Sequence, residues 1–286
     1  MLESPPFFAR LIFLGFAVFS RMPLRVLHFI GRIGGSVLWR LWPPLGSHLR
    51  EHLRGAYPDA RPAMVRDAER QMGCMMSELP FIMLRDNTTF MERHVEMTDW
   101  RTLDDLHAQG RGLIMVTAHL GCFELLSQFL ALRRPIVALY RPPRQPWSHE
   151  WIERVRMRRD LTPVAANVRG VRTLVRTLRA GGTVGLLPDQ VPRIGEGVWA
   201  PFFGRPAYTM TLVHRLQKHC GSPVVGIVAE RLPRSAGFRV HIRMPRLPLS
   251  DDPVEAAAEV NRLIETLIDV APTQYLWAYD RYRPPR

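Results

Sequence analysis

The sequence predicts an α/β protein in which a central, mostly parallel sheet is flanked by helices. From about residue 101 onward, short apolar runs alternate with helical stretches of about 10–15 residues, a pattern typical of strands joined by crossover helices. Several of these runs stop at a glycine or a polar residue, as buried strands do. The chain has 286 residues and 47% hydrophobic residues, which is enough for one large α/β domain or two small ones.

Residues 1–45 are predicted to form an N-terminal segment that associates with a membrane. Its apolar run, 11–20, is bracketed by Arg10 and Arg21 and is too short for a helix that crosses a bilayer, which needs about 20 residues. A signal peptide fits poorly, because Glu3 precedes the run and no small-residue cleavage site follows it. An apolar, cationic segment rich in Phe and Trp suits an anionic membrane surface. The alternative is a helix pair packed on the protein's own core.

Residues 46–286 are predicted to form the folded domain, with helices over 46–100 and the α/β core over 101–286. Strands are predicted at 112–117, 135–140, 162–165, 183–188, 223–229 and 238–243. Helices are predicted at 62–84, 122–132, 147–159, 169–180, 208–219 and 253–269.

The first strand of this core leads into a candidate catalytic motif. The apolar run ends at His119, and Glu124 follows in the first turn of the next helix. Gly121 permits a turn between them, so the two side chains can meet. A histidine oriented by a carboxylate at a strand end is a general-base arrangement. The alternative is that His119 is a structural residue.

Two other predicted strands end in polar residues. Arg141 follows the strand at 135–140, and Asp189 and Gln190 follow the strand at 183–188. Sites in parallel sheets form beyond the carboxyl ends of the strands, so these side chains are expected near His119. A polar pair that only caps a turn is the alternative for Asp189 and Gln190. Further on, apolar residues within 198–203 indicate either a wall for an apolar ligand or a loop folded onto the core.

The net charge of +13 is carried almost entirely by arginine and is concentrated in residues 1–57 and 131–180. Anionic partners are therefore expected: phospholipid, a phosphorylated glycolipid, an acidic protein or nucleic acid. In the helix at 169–180, arginines recur every three or four residues and form one cationic face, which either docks an anion or is simply solvated. This face comprises Arg169, Arg172, Arg176 and Arg179.

Several classes of function lack their motifs. The chain has no GxSxG elbow, no P-loop, no HExxH and no zinc-binding set, and its three cysteines are far apart and read as reduced thiols. No metal or cofactor is therefore expected. The basic stretches come without a nucleic-acid reader motif, and the Phe-rich N-terminus favours lipid, so no nucleic-acid partner is expected.

Five segments, in order, resemble the late (secondary) acyltransferases of bacterial lipid A biosynthesis, and the resemblance runs from the N-terminal segment to Arg281. Cys122 and His52 stand where that family often has asparagine. The matching segments are HLGCFE (119–124), YRP (140–142), DQ (189–190), FFGRPA (202–207) and PTQYLWAYDRY (272–282).

The resemblance implies a glycerolipid-acyltransferase-like fold at the cytoplasmic face of the inner membrane, in contact with its anionic phospholipid. It implies transfer of a fatty acyl chain from the thioester of acyl carrier protein to a hydroxyl of a hydroxyacyl chain on a lipid A precursor, a phosphorylated glycolipid. No covalent acyl-enzyme, metal or cofactor is required. Acceptors such as a lysophospholipid, another glycolipid or an aminolipid stay open, as does a non-catalytic protein that binds anionic lipid.

Within this reading, His119 is the general base and Glu124 orients its imidazole. Arg141 is expected to bind a substrate phosphate or the developing oxyanion, and Asp189 to orient an arginine or the acceptor. Gln190 and Arg205 are the remaining candidates for substrate binding. Arg205 is expected just before a helix that begins at Tyr208.

Overall fold

The computed structural model describes residues 7–41, 43–97, 99–142, 153, 155–158, 160–245 and 248–285. The helices of these residues are α1 (Phe7–Ser20), α2 (Leu24–Leu41), α3 (Pro43–Ala56), α4 (Pro62–Leu84), α5 (Thr88–His94), α6 (Trp100–Ala108), α7 (Phe123–Ala131), α8 (Val168–Arg179), α9 (Leu212–Cys220) and α10 (Pro253–Ile268). The strands are β1 (Val95–Glu96), β2 (Leu113–Val116), β3 (Ile136–Tyr140), β4 (Leu161–Ala165), β5 (Thr183–Leu186), β6 (Gly197–Phe202), β7 (Arg205–Met210), β8 (Val224–Arg231) and β9 (Phe238–Arg243).

Seven strands form one sheet in the order β1-β9-β8-β2-β5-β3-β4. Every pair is parallel except β8 with β9, which is antiparallel. The predicted α/β fold with a mostly parallel sheet is therefore confirmed. Because β2, β5 and β3 are adjacent and parallel, the residues that follow them meet at one edge of the sheet.

The sheet is buried on both faces, and β2 shows why its sequence is continuously apolar. All four of its residues are buried. Leu113 and Met115 belong to one hydrophobic cluster, whereas Ile114 and Val116 belong to the other. This alternation follows from the two-residue period of a strand. A strand covered on both faces needs apolar residues at every position.

The six strands predicted in the core are confirmed to within two residues at each end. The helix predicted at 208–219 begins instead at Leu212, because Arg205–Met210 is strand β7, paired with β6. A two-residue turn joins β6 to β7, and both Phe203 and Gly204 have a positive φ, as such hairpins require. The helix predicted at 147–159 lies mostly outside the described residues.

The N-terminal helices both pack on the protein and expose an apolar surface. Helix α2 crosses α4 at glycines: a Cβ at Gly31 would lie 2.6 Å from the Gly73 carbonyl oxygen. The outer side of α1 and α2 carries exposed apolar side chains. These are Leu11, Ile12, Leu14, Val18, Val26, Phe29, Ile30, Ile33, Val37, Leu38 and Leu41. Among the helices of the described residues, none combines the length and the hydropathy that a bilayer crossing needs. The division at residue 45 stays a prediction.

A buried ion pair joins the N-terminal helices to the sheet. Arg231, at the end of β8, donates from Nε to Glu78 Oε2 of α4 at 2.9 Å and forms a second hydrogen bond through Nη2. His28 of α2 contacts the same carboxylate at 2.9 Å. Burial alone would raise the pKa of Glu78, but the Arg231 charge and the His28 hydrogen bond lower it below its ordinary value. The carboxylate is thus held in its charged form inside the protein.

The Glu78→Ala variant should lower the free energy of unfolding by about 3–5 kcal/mol, because it leaves the Arg231 guanidinium buried without its counter-charge. Chemical denaturation of the purified protein measures this loss. The matched control is Glu51→Ala, which removes the exposed ion pair with Arg205 and should cost less than about 1 kcal/mol. Equal, small losses for the two variants would contradict the role given to the buried pair.

Candidate active site

The turn after β2 is held by the end of β8. Gly121 has φ 56°, and a Cβ at this position would overlap the Ala229 carbonyl oxygen. That oxygen accepts a hydrogen bond from the Cys122 amide at 3.0 Å. Arg231 Nη2 also donates to the Gly121 carbonyl at 3.1 Å. Glycine is therefore required here both for its backbone conformation and for the close approach of two backbone segments, the turn after β2 and the end of β8.

Residues 272–282, called here the C-terminal segment, form hydrogen bonds with the same turn. The Gly121 amide donates to the Gln274 carbonyl at 3.1 Å, and the Leu276 amide donates to the His119 carbonyl at 3.0 Å. The Gln274 side chain pairs with the Arg231 backbone: it accepts from the amide at 2.8 Å and donates to the carbonyl at 2.9 Å. Backbone hydrogen bonds therefore fix His119 on both sides of its position.

His119 is oriented by Asp189. The imidazole Nδ1 lies 2.8 Å from Asp189 Oδ1, and the His119 amide donates to Oδ2 at 2.8 Å. The expectation that Glu124 orients this imidazole is corrected, since the carboxylate at Nδ1 is Asp189. The reason is topological: β5 is the neighbour of β2, so the residues that follow both strands meet at one edge. Burial would raise the pKa of Asp189, but His119 and Arg281 lower it below its ordinary value.

Two residues of the C-terminal segment surround Asp189. Arg281 is buried and donates to the Tyr208 carbonyl at 2.7 Å and to Thr209 Oγ1 at 2.8 Å. Burial and the nearby Asp189 charge raise the pKa of Tyr275 well above its ordinary value. Neither residue was predicted at the site. The available signal was an arginine inside a stretch rich in aromatic residues, 275–282.

The other imidazole nitrogen faces a cavity. Gln190 Nε2 lies 3.3 Å from His119 Nε2, and the Phe123 ring packs on the imidazole with 4.8 Å between ring centroids. When Nδ1 carries the proton that it donates to Asp189, Nε2 has a free lone pair. This lone pair can accept a hydrogen bond from the Gln190 amide. When a substrate displaces Gln190, the lone pair can accept the substrate's proton instead. His119 is therefore arranged as a general base.

Glu124 reaches the same cavity and binds a cation there. Arg156 donates from Nε to Glu124 Oε2 at 3.2 Å, and a second hydrogen bond joins Nη2 to Oε1. The guanidinium lies 5.8 Å from the centroid of the Tyr140 ring. Arg141 lines the same cavity as His119, and its Nη2 is 3.5 Å from the Val191 carbonyl; its role in binding a phosphate or an oxyanion stays a prediction. Arg156 was not predicted, because nothing in the sequence distinguishes it from its neighbouring arginines.

The cavity has a volume of about 240 Å³ and combines a charged mouth with an apolar interior. The polar lining comes from Thr117, His119, Glu124, Ser127, Tyr140, Arg141, Arg156 and Gln190. The apolar lining comes mainly from Met115, Leu126, Leu130, Ile136, Leu139, Leu161 and Ile227. Such a cavity fits a ligand with a polar reacting group and a hydrocarbon tail.

Two other candidates have different surroundings. Arg205 is at the start of β7, not before a helix; it pairs with Glu51 at 3.4 Å and stacks over the Tyr282 ring at 4.0 Å. It is not among the residues that line the cavity, and its substrate-binding role stays a prediction. The Cys122 thiol is buried, and burial raises its pKa well above the ordinary value, which disfavours the reactive thiolate. Across the residues that the structure describes, no group of three or more His, Cys, Asp or Glu could hold a metal.

Comparison with known proteins identifies the family of this chain. The model of the bacterial lipid A biosynthesis acyltransferases matches residues 7–284. The lipid A biosynthesis palmitoleoyltransferase of Escherichia coli K12 is 27% identical over 272 residues, which cover 92% of this chain and 87% of the relative. The lipid A biosynthesis lauroyltransferase of the same organism is 27% identical over 196 residues, 67% of this chain and 62% of the relative. The resemblance seen in the sequence is thus confirmed: the chain belongs to the bacterial lipid A biosynthesis acyltransferase family.

Proposed function

We propose that this protein transfers a fatty acyl chain from the thioester of acyl carrier protein to a hydroxyl of a hydroxyacyl chain on a lipid A precursor. One observation carries the proposal: His119, paired with the buried Asp189, lies at the mouth of a mainly apolar cavity in a chain of this family. The reacting thioester would lie at the charged mouth. The hydrocarbon of the acyl chain would occupy the interior.

In the proposed reaction, His119 Nε2 takes the proton of the acceptor hydroxyl while the oxygen attacks the thioester carbonyl. A tetrahedral oxyanion forms, and its collapse releases the carrier thiolate, which takes the proton back from the imidazolium. Asp189 keeps the imidazole in the required tautomer and stabilises the imidazolium that forms between these steps. Since the pKa of Asp189 is lowered, its carboxylate is charged at neutral pH.

Glu124 acts through Arg156 in this proposal. A buried carboxylate beside a guanidinium holds the cation in a fixed position, and a fixed cation at the cavity mouth stabilises a developing oxyanion. Arg141, at the same mouth, would bind a phosphate of the acceptor. Gln190 would give up its contact with Nε2 and hydrogen-bond the substrate.

The surface of α1 and α2 supports a location on the membrane. Its exposed apolar side chains, from Leu11 to Leu41, are flanked by the cations Arg21 and Arg25. A helix surface of this composition lies in the boundary between lipid headgroups and acyl chains and prefers anionic phospholipid. We place this surface on the cytoplasmic face of the inner membrane, where acyl carrier protein is available.

The purified protein should acylate a lipid A precursor from acyl carrier protein, and a lysophospholipid acceptor should not replace the precursor.

The His119→Ala variant should lower transfer by at least about 10³-fold, since the base is removed. The Asp189→Asn variant should lower it by about 10³–10⁴-fold, since the imidazole is held in the wrong tautomer. Mass spectrometry of the acceptor measures the product.

The matched control for these variants is His94→Ala, which removes an exposed histidine of α5. Its transfer rate should equal that of the wild-type protein. Near-normal transfer by a folded His119→Ala variant would contradict the mechanism, and acylation of the lysophospholipid alone would reassign the acceptor.

Glu124→Gln and Arg156→Gln should each lower kcat, and the double variant should be no worse than the poorer single variant, because the two side chains act as one unit. Steady-state kinetics of the three variants form a double-mutant cycle. If Glu124 acted on the imidazole directly, Arg156→Gln would retain nearly full activity while Glu124→Gln would not. That result would contradict the proposal that Glu124 acts by holding Arg156 in position.

A further inference from the structure

Helix α8 exposes a continuous row of positive charge. Its N-terminus is capped by Asn167, whose side chain accepts a hydrogen bond from the Gly170 amide at 2.9 Å. Twelve residues form about 18 Å of helix, and none of them is acidic. Four exposed arginines recur along one face and are called here the arginine row. Its members are Arg169, Arg172, Arg176 and Arg179.

Among the residues that the structure describes, no acidic side chain neutralises the charge of the arginine row. Arg176 Nη2 donates to Thr173 Oγ1 at 3.3 Å, and Arg179 Nη2 lies 2.7 Å from His219 Nε2, so neither contact is made with a carboxylate. None of the ion pairs among the described residues includes a member of the row. Four cations spaced by three or four residues repel one another. An anionic partner would relieve that repulsion.

The same helix is unsuited to a bilayer. Its apolar side is used by the fold, since Leu174 and Leu178 are fully buried against the sheet. Val168 is the helix's one strongly exposed apolar side chain. A helix that binds the membrane surface inserts several apolar residues between its cations, and α8 offers only Val168, at its first position. The largest group of exposed apolar residues lies instead on α1 and α2, so the arginine row suits a hydrophilic, acidic surface.

The arginine row begins beside the cavity mouth. The Ala166 amide, just before α8, donates to the Tyr140 carbonyl at 2.8 Å. Tyr140 and Arg141 line the cavity, and β4, which leads into α8, is the neighbour of β3. Adjacent strands are about 4.8 Å apart, so the start of α8 is one strand away from the mouth. A partner bound along α8 would reach the cavity from this side.

We propose that the arginine row is the docking surface for an acidic face of the acyl carrier protein, whose thioester-bearing arm enters the cavity at Arg141. This inference rests on the proposed function, which names that donor. The charge of the row would raise the association rate and fix the orientation of the carrier, whereas the chemistry depends on His119 and its neighbours.

The test compares two donors of the same acyl chain, acyl carrier protein and a free acyl-pantetheine thioester. The Arg172→Glu/Arg176→Glu variant should raise KM for the carrier-bound donor by roughly tenfold or more and leave its kcat unchanged. With the acyl-pantetheine thioester, the variant and the wild-type protein should have equal kcat/KM. Added salt should weaken the wild-type reaction with the carrier more than that of the variant.

The matched control is Arg66→Glu/Arg70→Glu, which reverses two exposed charges at the same spacing on α4 and should leave KM for the carrier unchanged. An unchanged KM in the α8 variant, an equal loss with both donors, or a loss of binding to anionic phospholipid vesicles would each overturn the docking surface. A wild-type protein that uses acyl-pantetheine but not acyl carrier protein would instead show that the proposed donor is wrong.

Discussion

The buried guanidinium of Arg231 connects the parts of the fold that build the site. The guanidinium binds Glu78 of α4 and donates to the Gly121 carbonyl of the turn after β2. The Arg231 backbone amide and carbonyl pair with the Gln274 side chain. An arginine with five donors in a rigid plane can hold several acceptors at once. The N-terminal helices, the end of the sheet and the C-terminal segment therefore all meet at Arg231. The position of His119 depends on all three.

The site separates its charges by depth. Asp189 is buried behind the imidazole, with 1% of its side chain exposed, and its lowered pKa keeps it ionised. Glu124 and Arg156 form the pair at the cavity mouth, where a polar reacting group would lie. The rest of the lining is mainly apolar, so a hydrocarbon tail can replace water there with little burial of unpaired polar groups. This arrangement of charged and apolar groups suits a reaction in which charge develops at one end of a substrate with a long hydrocarbon chain.

The sequence was sufficient for the fold class and for most strands, because buried parallel strands are short apolar runs with clear ends. It also placed His119, Arg141 and Asp189 at the carboxyl edge of the sheet. It could not show that β5 is the neighbour of β2, since strand order is set by long-range packing. The sequence therefore predicts that Glu124, the nearest carboxylate along the chain, orients the His119 imidazole. The carboxylate that does so is Asp189, which is 70 residues away.

The features that were missed have the same physical origin. The β6–β7 hairpin contains Pro201 and Pro206 and turns at Phe203, a residue that rarely has a positive φ, so its strand pattern was hidden. Arg231 and Arg281 look like surface residues in the sequence, because a buried arginine is recognised only through partners from distant segments. Local patterns predict elements well, but they do not predict which side chains of different elements meet.

The central claim is that His119 carries its proton on Nδ1, bound to Asp189, and offers Nε2 to the substrate. Nitrogen-15 chemical shifts of labelled histidine, with the His119 signal assigned by its loss in His119→Gln, report the tautomer directly. We expect neutral His119 to be protonated at Nδ1 and unprotonated at Nε2, and Asp189→Asn to disturb this preference. A proton on Nε2 in the wild-type protein would contradict the account, because that nitrogen could not then act as the base.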